Sequence, residues 1–279
     1  MTIWVGTRAG GDLVDDAEAT VSVLDHGFTV ADGVFETLKA TPAGAFALTR
    51  HLRRLRESAC ALRLPEPDPS VISAAVADVL KDAELGSDEL GRLRITYTAG
   101  PGPLGSDRGQ AEPTLVVALT RTQPWPETTS LATMPWTRNE RSAVAGVKST
   151  SYAENVVALA RAHELGASEA ILANTAGELC EGTGSNVFLV LEGRVATPPL
   201  SSGCLAGITR ELVLEWFDVE ERVLEYEALF EADEVLITSS TRDVHPVVRV
   251  DGRAWQGPGP VGAQLRKAFM ERASRDIDP

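Results

Sequence analysis

The chain has 279 residues, 43% of them hydrophobic and 24% charged, with a formal net charge of −14. That length suits one large domain or two modest ones, and the composition is that of a soluble globular protein. The acidic balance excludes capture of nucleic acid or anionic membrane by bulk charge, and no apolar run reaches the roughly 18 residues of a membrane span. An anionic ligand therefore has to be met by a local cluster of donors. Cys60, Cys180 and Cys204 show no CxxC spacing. The histidines His26, His51, His163 and His245 are scattered, with no HExxH pattern. This usage fits a reducing cytosol and argues against a disulfide framework or a zinc site. The opening MTIWVGTRAGGDLV lacks the basic end and apolar core of a signal peptide, so a cytoplasmic location is expected.

In chain order, alternation of apolar and polar residues predicts strands at 2–6 and 20–24, a polar turn at 25–32 and a strand at 33–40. Residues 42–44 make a hairpin turn into a strand at 46–48. Thr49 reads as the N-cap of a helix over 50–62 that buries Leu52, Leu55, Ala59 and Leu62. Ser70 reads as the cap of a second helix over 71–80. Strands at 93–98 and 114–119 flank a Gly/Pro-rich loop, 99–109. The chain thus divides into a small α+β domain over 1–120, a linker over 121–129 built around RTQPWPE, and a large domain over 130–279.

The second half is organised around residues 146–188, which open with Lys148 at the end of an apolar run, 143–147. Only four of the 26 basic residues are lysines. A lysine kept in such a segment has an amine that burial makes available as nucleophile or base, which arginine does not offer. Alternatively, it ends a strand and reaches out to water. Tyr152, Val156, Leu159 and His163 follow at helical spacing and predict one face of a helix starting directly after the lysine. Short strands are expected at 169–173, 178–181 and 186–191, with a turn at 174–177 and a loop at 182–185. The order Lys-x-x-x-Tyr is the reverse of the short-chain dehydrogenase order and argues against that chemistry. Further on come a strand at 195–197, a turn at 198–203, a helix at 209–217, strands at 234–239 and 247–250, and a last helix over 263–273.

Across nearly its whole length the chain resembles the class IV aminotransferases, the pyridoxal 5'-phosphate (PLP) enzymes of fold type IV. The resemblance rests on Glu181, on Asn186-Val187-Phe188, on Val195-Ala196-Thr197 and on Leu205-Ala206-Gly207-Ile208-Thr209-Arg210. It implies an α+β fold of two α/β domains joined by a short linker, and a homodimer with residues 28–35 and 100–108 near the partner's cofactor. By the same resemblance, Lys148 would form the Schiff base with PLP and then carry the proton. Glu181 would face the pyridine nitrogen and Tyr152 the ring's 3-oxygen. Arg54, the Ile208 backbone, Thr209 and Ser240 would hold the phosphate, Thr209 doubling as a helix N-cap.

The substrate side is mixed. In Phe35-Glu36-Thr37-Leu38-Lys39, Thr37 stands where branched-chain enzymes have Gly, and Lys39 where they have Arg. A Thr at that place is typical of the lyases. Leu104 or a neighbour occupies the arginine position of the D-amino-acid enzymes. Arg92 and Arg94 alternate with Leu93 and would face one side of a strand as a carboxylate site; Arg108 is an alternative donor. The resemblance implies transfer of an amino group between an amino acid or (R)-amine and a 2-keto acid. The alternative is release of pyruvate from 4-amino-4-deoxychorismate to give 4-aminobenzoate. A non-catalytic relative of the same fold is the third reading, opposed by the joint presence of Lys148, Glu181 and Arg54.

Overall fold

The computed structural model describes residues 1–279, which form two compact units. The first comprises 1–124, 147–151 and 276–279, and the second 125–146 and 152–275. This division departs from the 1–120 and 130–279 domains expected from composition: the segment carrying Lys148 belongs to the first unit. Backbone pairing explains why. Phe35 N–H donates to the Lys148 carbonyl at 3.0 Å and Thr150 N–H to the Gly33 carbonyl at 2.8 Å, and Val34 bridges to Ser149.

The first unit is an antiparallel sheet of β1 (Thr2–Thr7), β2 (Gly10–Val14), β3 (Gly33–Thr41), β4 (Gly44–Ala45), β5 (Leu90–Thr98) and β6 (Thr114–Thr122), in the order β2-β1-β6-β5-β3-β4. One sheet face packs on α2 (Leu48–Ala61) and α3 (Pro69–Ala83), burying Leu38, Leu55, Ile72, Val79, Leu93 and Ile95. The segment expected as a strand at 20–24 is irregular and leads into a one-turn helix, α1 (His26–Thr29). Residues 46–48 turn into α2 instead of continuing as a strand. Both expected caps are corrected. Asp68, not Ser70, caps α3, accepting the Ser70 N–H at 2.8 Å. Helix α2 starts from Ala47 in the left-handed region (φ 55°). The N–H of Thr49 is taken at 2.9 Å by Asp278, 229 residues away.

The second unit holds β7 (Thr129–Arg138), α4 (Ala153–Glu164), β8 (Glu169–Asn174), β9 (Leu179–Gly182), β10 (Asn186–Leu191), β11 (Arg194–Thr197), α5 (Ile208–Trp216), β12 (Val219–Glu221), α6 (Ala228–Glu231), β13 (Glu234–Ser239), β14 (Asp243–Val250), β15 (Arg253–Ala254) and α7 (Pro260–Ala273). Strands β10-β13-β14-β7-β8-β9 run in that order, and β9 pairs back to β10 through Asn186 and Glu181, so the sheet closes on itself. Closure removes unpaired edges. Leu131, Ile171, Val187, Leu189, Val235 and Ile237 are fully buried in the core of this unit. Sequence reading misses β7, because Pro135 interrupts its alternation; the strand accommodates it with a register shift between Thr133 and Thr137.

Helix α4 forms as its spacing predicts, and the face it turns inward carries small residues. Asn155, Ala158 and Ala162 are buried, whereas Val156 is 63% exposed and His163 is also exposed. Small residues let the helix lie close against Ala132 and Ala170.

Candidate active site

In the first unit the site is built on β3. Its residues alternate, so Glu36 points toward α2 while Phe35, Thr37 and Lys39 line the other face. Across the ladder Thr37 is opposite Arg94 and Lys39 opposite Arg92, which puts both arginines on the face of Phe35. The Arg94 guanidinium lies 3.8 Å from the centre of the Phe35 ring, and the Lys148 ammonium 4.4 Å from the same centre. One aromatic ring thus holds the amine and a guanidinium by cation–π attraction. The expected apolar burial of Lys148 is corrected: residues 143–146 are exposed turn, and Lys148 itself is half-buried. Its backbone is strapped to β3 and donates to Ser58 Oγ at 3.3 Å.

On the other side of β3, Arg54 is buried and gives Nε and Nη2 to Glu36 at 2.8 and 2.6 Å. His51 Nδ1 lies 2.6 Å from the same carboxylate. Burial opposes ionisation of Glu36, but Arg54 and His51 together bring its pKa down to about 2. Burial pushes His51 down, against the pull of Glu36. Arg108, the alternative substrate arginine, is committed elsewhere: it forks onto Asp32 at 2.6 Å and donates to the Leu62 and Arg63 carbonyls.

In the second unit Glu181 stands at the closing pair of the barrel. Its Oε2 accepts the Leu205 N–H at 2.9 Å, and its Oε1 lies 3.2 Å from Arg138 Nε. Arg138 Nη1 donates to Asn155, whose amide donates to the Thr183 carbonyl at 2.7 Å. Arg138 is the residue sequence reading lacks, because it ends the unrecognised strand β7. Tyr152 precedes α4; burial first, then the charge of Glu181, raises its pKa, so the hydroxyl stays protonated.

The other signature residues are structural supports. Asn186 donates to the Leu205 carbonyl at 2.8 Å, Thr197 to the Val187 carbonyl at 2.8 Å, and Arg210 pairs with Glu221. Together they fix the turn that starts α5. Gly207, not Thr209, is its N-cap. Asn186 Oδ1 packs so close that a Cβ on Gly207 would lie 2.0 Å from it. Thr209 is buried in the first turn, where the N–H groups of Ile208 and Thr209 have no carbonyl within the helix to receive them. Ser240 lies in the turn between β13 and β14, just after Thr238, which is paired with Asn186 and whose buried Oγ1 has no hydrogen-bond partner.

The sequence profile of the class IV amino-transferase family matches residues 33–250. A putative branched-chain-amino-acid aminotransferase of Methanocaldococcus jannaschii is 33% identical over 94% of each chain. A D-alanine aminotransferase of Bacillus licheniformis is 30% identical over 93% of this chain and 94% of its own. The PLP-bound structure of a hypothetical aminotransferase from Mycobacterium tuberculosis superposes with a TM-score of 0.83 at 27% identity, covering 96% of this chain and 99% of that one.

The profile match over most of the chain and the 33% identity to a relative of the same length show the family: the chain is a member of the class IV aminotransferase family. It is a PLP-dependent enzyme of fold type IV. The residues present fit that cofactor. An amine can take its carbonyl and a buried carboxylate its ring nitrogen. The start of α5, which has no side-chain cap, suits its phosphate. No helix is long and apolar enough to cross a membrane.

Proposed function

We propose that the enzyme moves the amino group of an α-amino acid to a 2-keto acid, and that Arg94 meets the substrate carboxylate. The observation that carries this reading is the Phe35 ring, which holds both Arg94 and the Lys148 amine within one unit. PLP, when bound, supplies an electron sink conjugated to the substrate nitrogen. Lys148 is the nucleophile toward the cofactor carbonyl and then moves the proton at the substrate Cα. Glu181, 3.2 Å from Arg138 Nε, pairs with the ring nitrogen, and Tyr152 donates to the 3-oxygen. Arg54, the Ile208 N–H, Thr209 and Ser240 bind the phosphate. Phe35, Thr37, Lys39 and Arg92 complete the substrate face around Arg94. Three free cysteines support a reducing, cytoplasmic setting.

Purified enzyme tested with D- and L-amino acids, (R)-amines and aminodeoxychorismate, while its cofactor spectrum is followed, should respond to an amino acid and need a keto acid to turn over. Release of 4-aminobenzoate and pyruvate without an acceptor would instead support the lyase reading that Thr37 favours. Replacing Arg94 with Met should raise KM for the amino acid roughly ten- to a hundredfold, the worth of a hydrogen bond to a charged group. Unchanged KM would remove Arg94 from the site.

The active form is proposed to be a homodimer. The loops at 21–30 and 100–108 are joined by a bridge between Asp25 and Pro101, and expose Phe28 (74%) and Leu104 (79%). Exposed apolar side chains on linked loops suit a partner surface. Sedimentation equilibrium should give twice the chain mass; a fully active monomer would refute the dimer.

A further inference from the structure

The phosphate-binding reading of Arg54 leaves its two partners unassigned. We propose that Glu36 and His51 are positioning residues for the cofactor phosphate: they hold the Arg54 guanidinium in one orientation, so that its anion-facing edge is set before the cofactor arrives. The inference rests on the assignment of Arg54 to the phosphate.

The geometry is that of a clamp. Glu36 takes the Nε and Nη2 edge of a planar guanidinium in a two-bond fork, so the opposite edge, carrying Nη1, can point only one way. His51 stands one helical turn before Arg54 on α2, and its Nδ1 meets the same carboxylate at 2.6 Å. A neutral imidazole beside an ionised carboxylate carries its proton on Nδ1, so His51 is the donor. Glu36 is thereby held from two directions, and Arg54 follows it.

Glu36 and His51 are fully buried and Arg54 is nearly so. A buried ion pair is a weak source of stability compared with apolar packing, because both charges lose their water. The arrangement gains direction instead. The same helix face carries Ser58, whose hydroxyl takes the Lys148 N–H. One helix thus sets both the guanidinium and the backbone of the amine-bearing residue.

The test compares dissociation constants for PLP and for pyridoxal, which lacks the phosphate, in wild type, Glu36→Gln, His51→Gln and Arg54→Met. A merely structural role weakens both ligands alike, whereas a positioning role lowers the preference for PLP. Arg54→Met should lose most of that preference. Glu36→Gln should lose about tenfold, as when a supporting hydrogen bond behind a ligating group is removed, and His51→Gln should shift it in the same direction by less. If Arg54→Met keeps the wild-type preference, the phosphate assignment falls and the inference with it. If Arg54→Met loses the preference while Glu36→Gln keeps or increases it, only the positioning role falls. Should Glu36→Gln fail to fold, His51→Gln decides, and an unchanged preference there overturns the proposal.

Discussion

Replacing Lys148 with alanine is expected to abolish turnover while leaving the fold intact. The side chain is half-buried and its ammonium lies over the face of Phe35, so its loss opens no large cavity. The ties that hold this segment run through the backbone of Lys148 and Thr150, which alanine retains. The amine is the one group proposed both to attack the cofactor carbonyl and to move the substrate proton. Borohydride reduction of the wild-type enzyme should fix the pyridoxyl group to the peptide containing Lys148, as mass spectrometry reads it. Circular dichroism and melting temperature of the variant should match wild type. A pyridoxyl group found on Lys39, Lys81 or Lys267, or residual turnover above background in Lys148→Ala, would overturn the assignment.

Exchanging Glu181 for glutamine is expected to cost roughly 10²-fold or more in turnover, the loss typical of a preorganised electrostatic group. Glutamine keeps an acceptor for the Leu205 N–H but loses the charge that pairs with Arg138 and, in the proposed site, with the ring nitrogen. A carboxylate at that nitrogen raises the ring's pKa, and the protonated ring is the stronger electron sink. Binding of the cofactor should survive, because Arg54, Thr209 and Ser240 are assigned to the phosphate and not to the ring. Steady-state kinetics of the variant beside wild type, both saturated with PLP, measure the effect; rates within a factor of two would mean that Glu181 does not serve the ring.

Much of this arrangement is legible in the amino-acid sequence. The strand β5 follows from alternation, β8, β10 and β13 from short apolar runs between turn signals, and the motifs from Glu181 to Arg210 carry the family resemblance. What each patterned residue does is less visible. Asn186, Thr197 and Arg210 are tied to a backbone carbonyl, another carbonyl and a distant glutamate; such contacts are made by tertiary packing and leave no local periodicity. Arg138 escapes notice because Pro135 interrupts its strand and the preceding Thr129–Met134 does not alternate cleanly either. The start of α2 is illegible for another reason, since its aspartate comes from the far end of the sequence. On α4 the helical period is legible, but which face turns inward is not. Hydrophobicity favours Val156 and Leu159, but the cluster covered includes Ala132 and Ala170 beside Met134 and Leu172, and the helix packs on it through Ala158 and Ala162.

The clasp formed by residues 147–151 and 276–279 has a consequence for biosynthesis. The first unit leaves the ribosome early, yet the segment that bridges to the start of β3 is missing until residue 151 has been made, and the acceptor for the Thr49 N–H until Asp278 has followed. A nascent chain stopped at Pro124 therefore holds an unfinished sheet margin and an open helix end. N-terminal segments generally fold first during translation; here the earliest unit to emerge is among the last to be completed, and its maturation waits on the synthesis of the other.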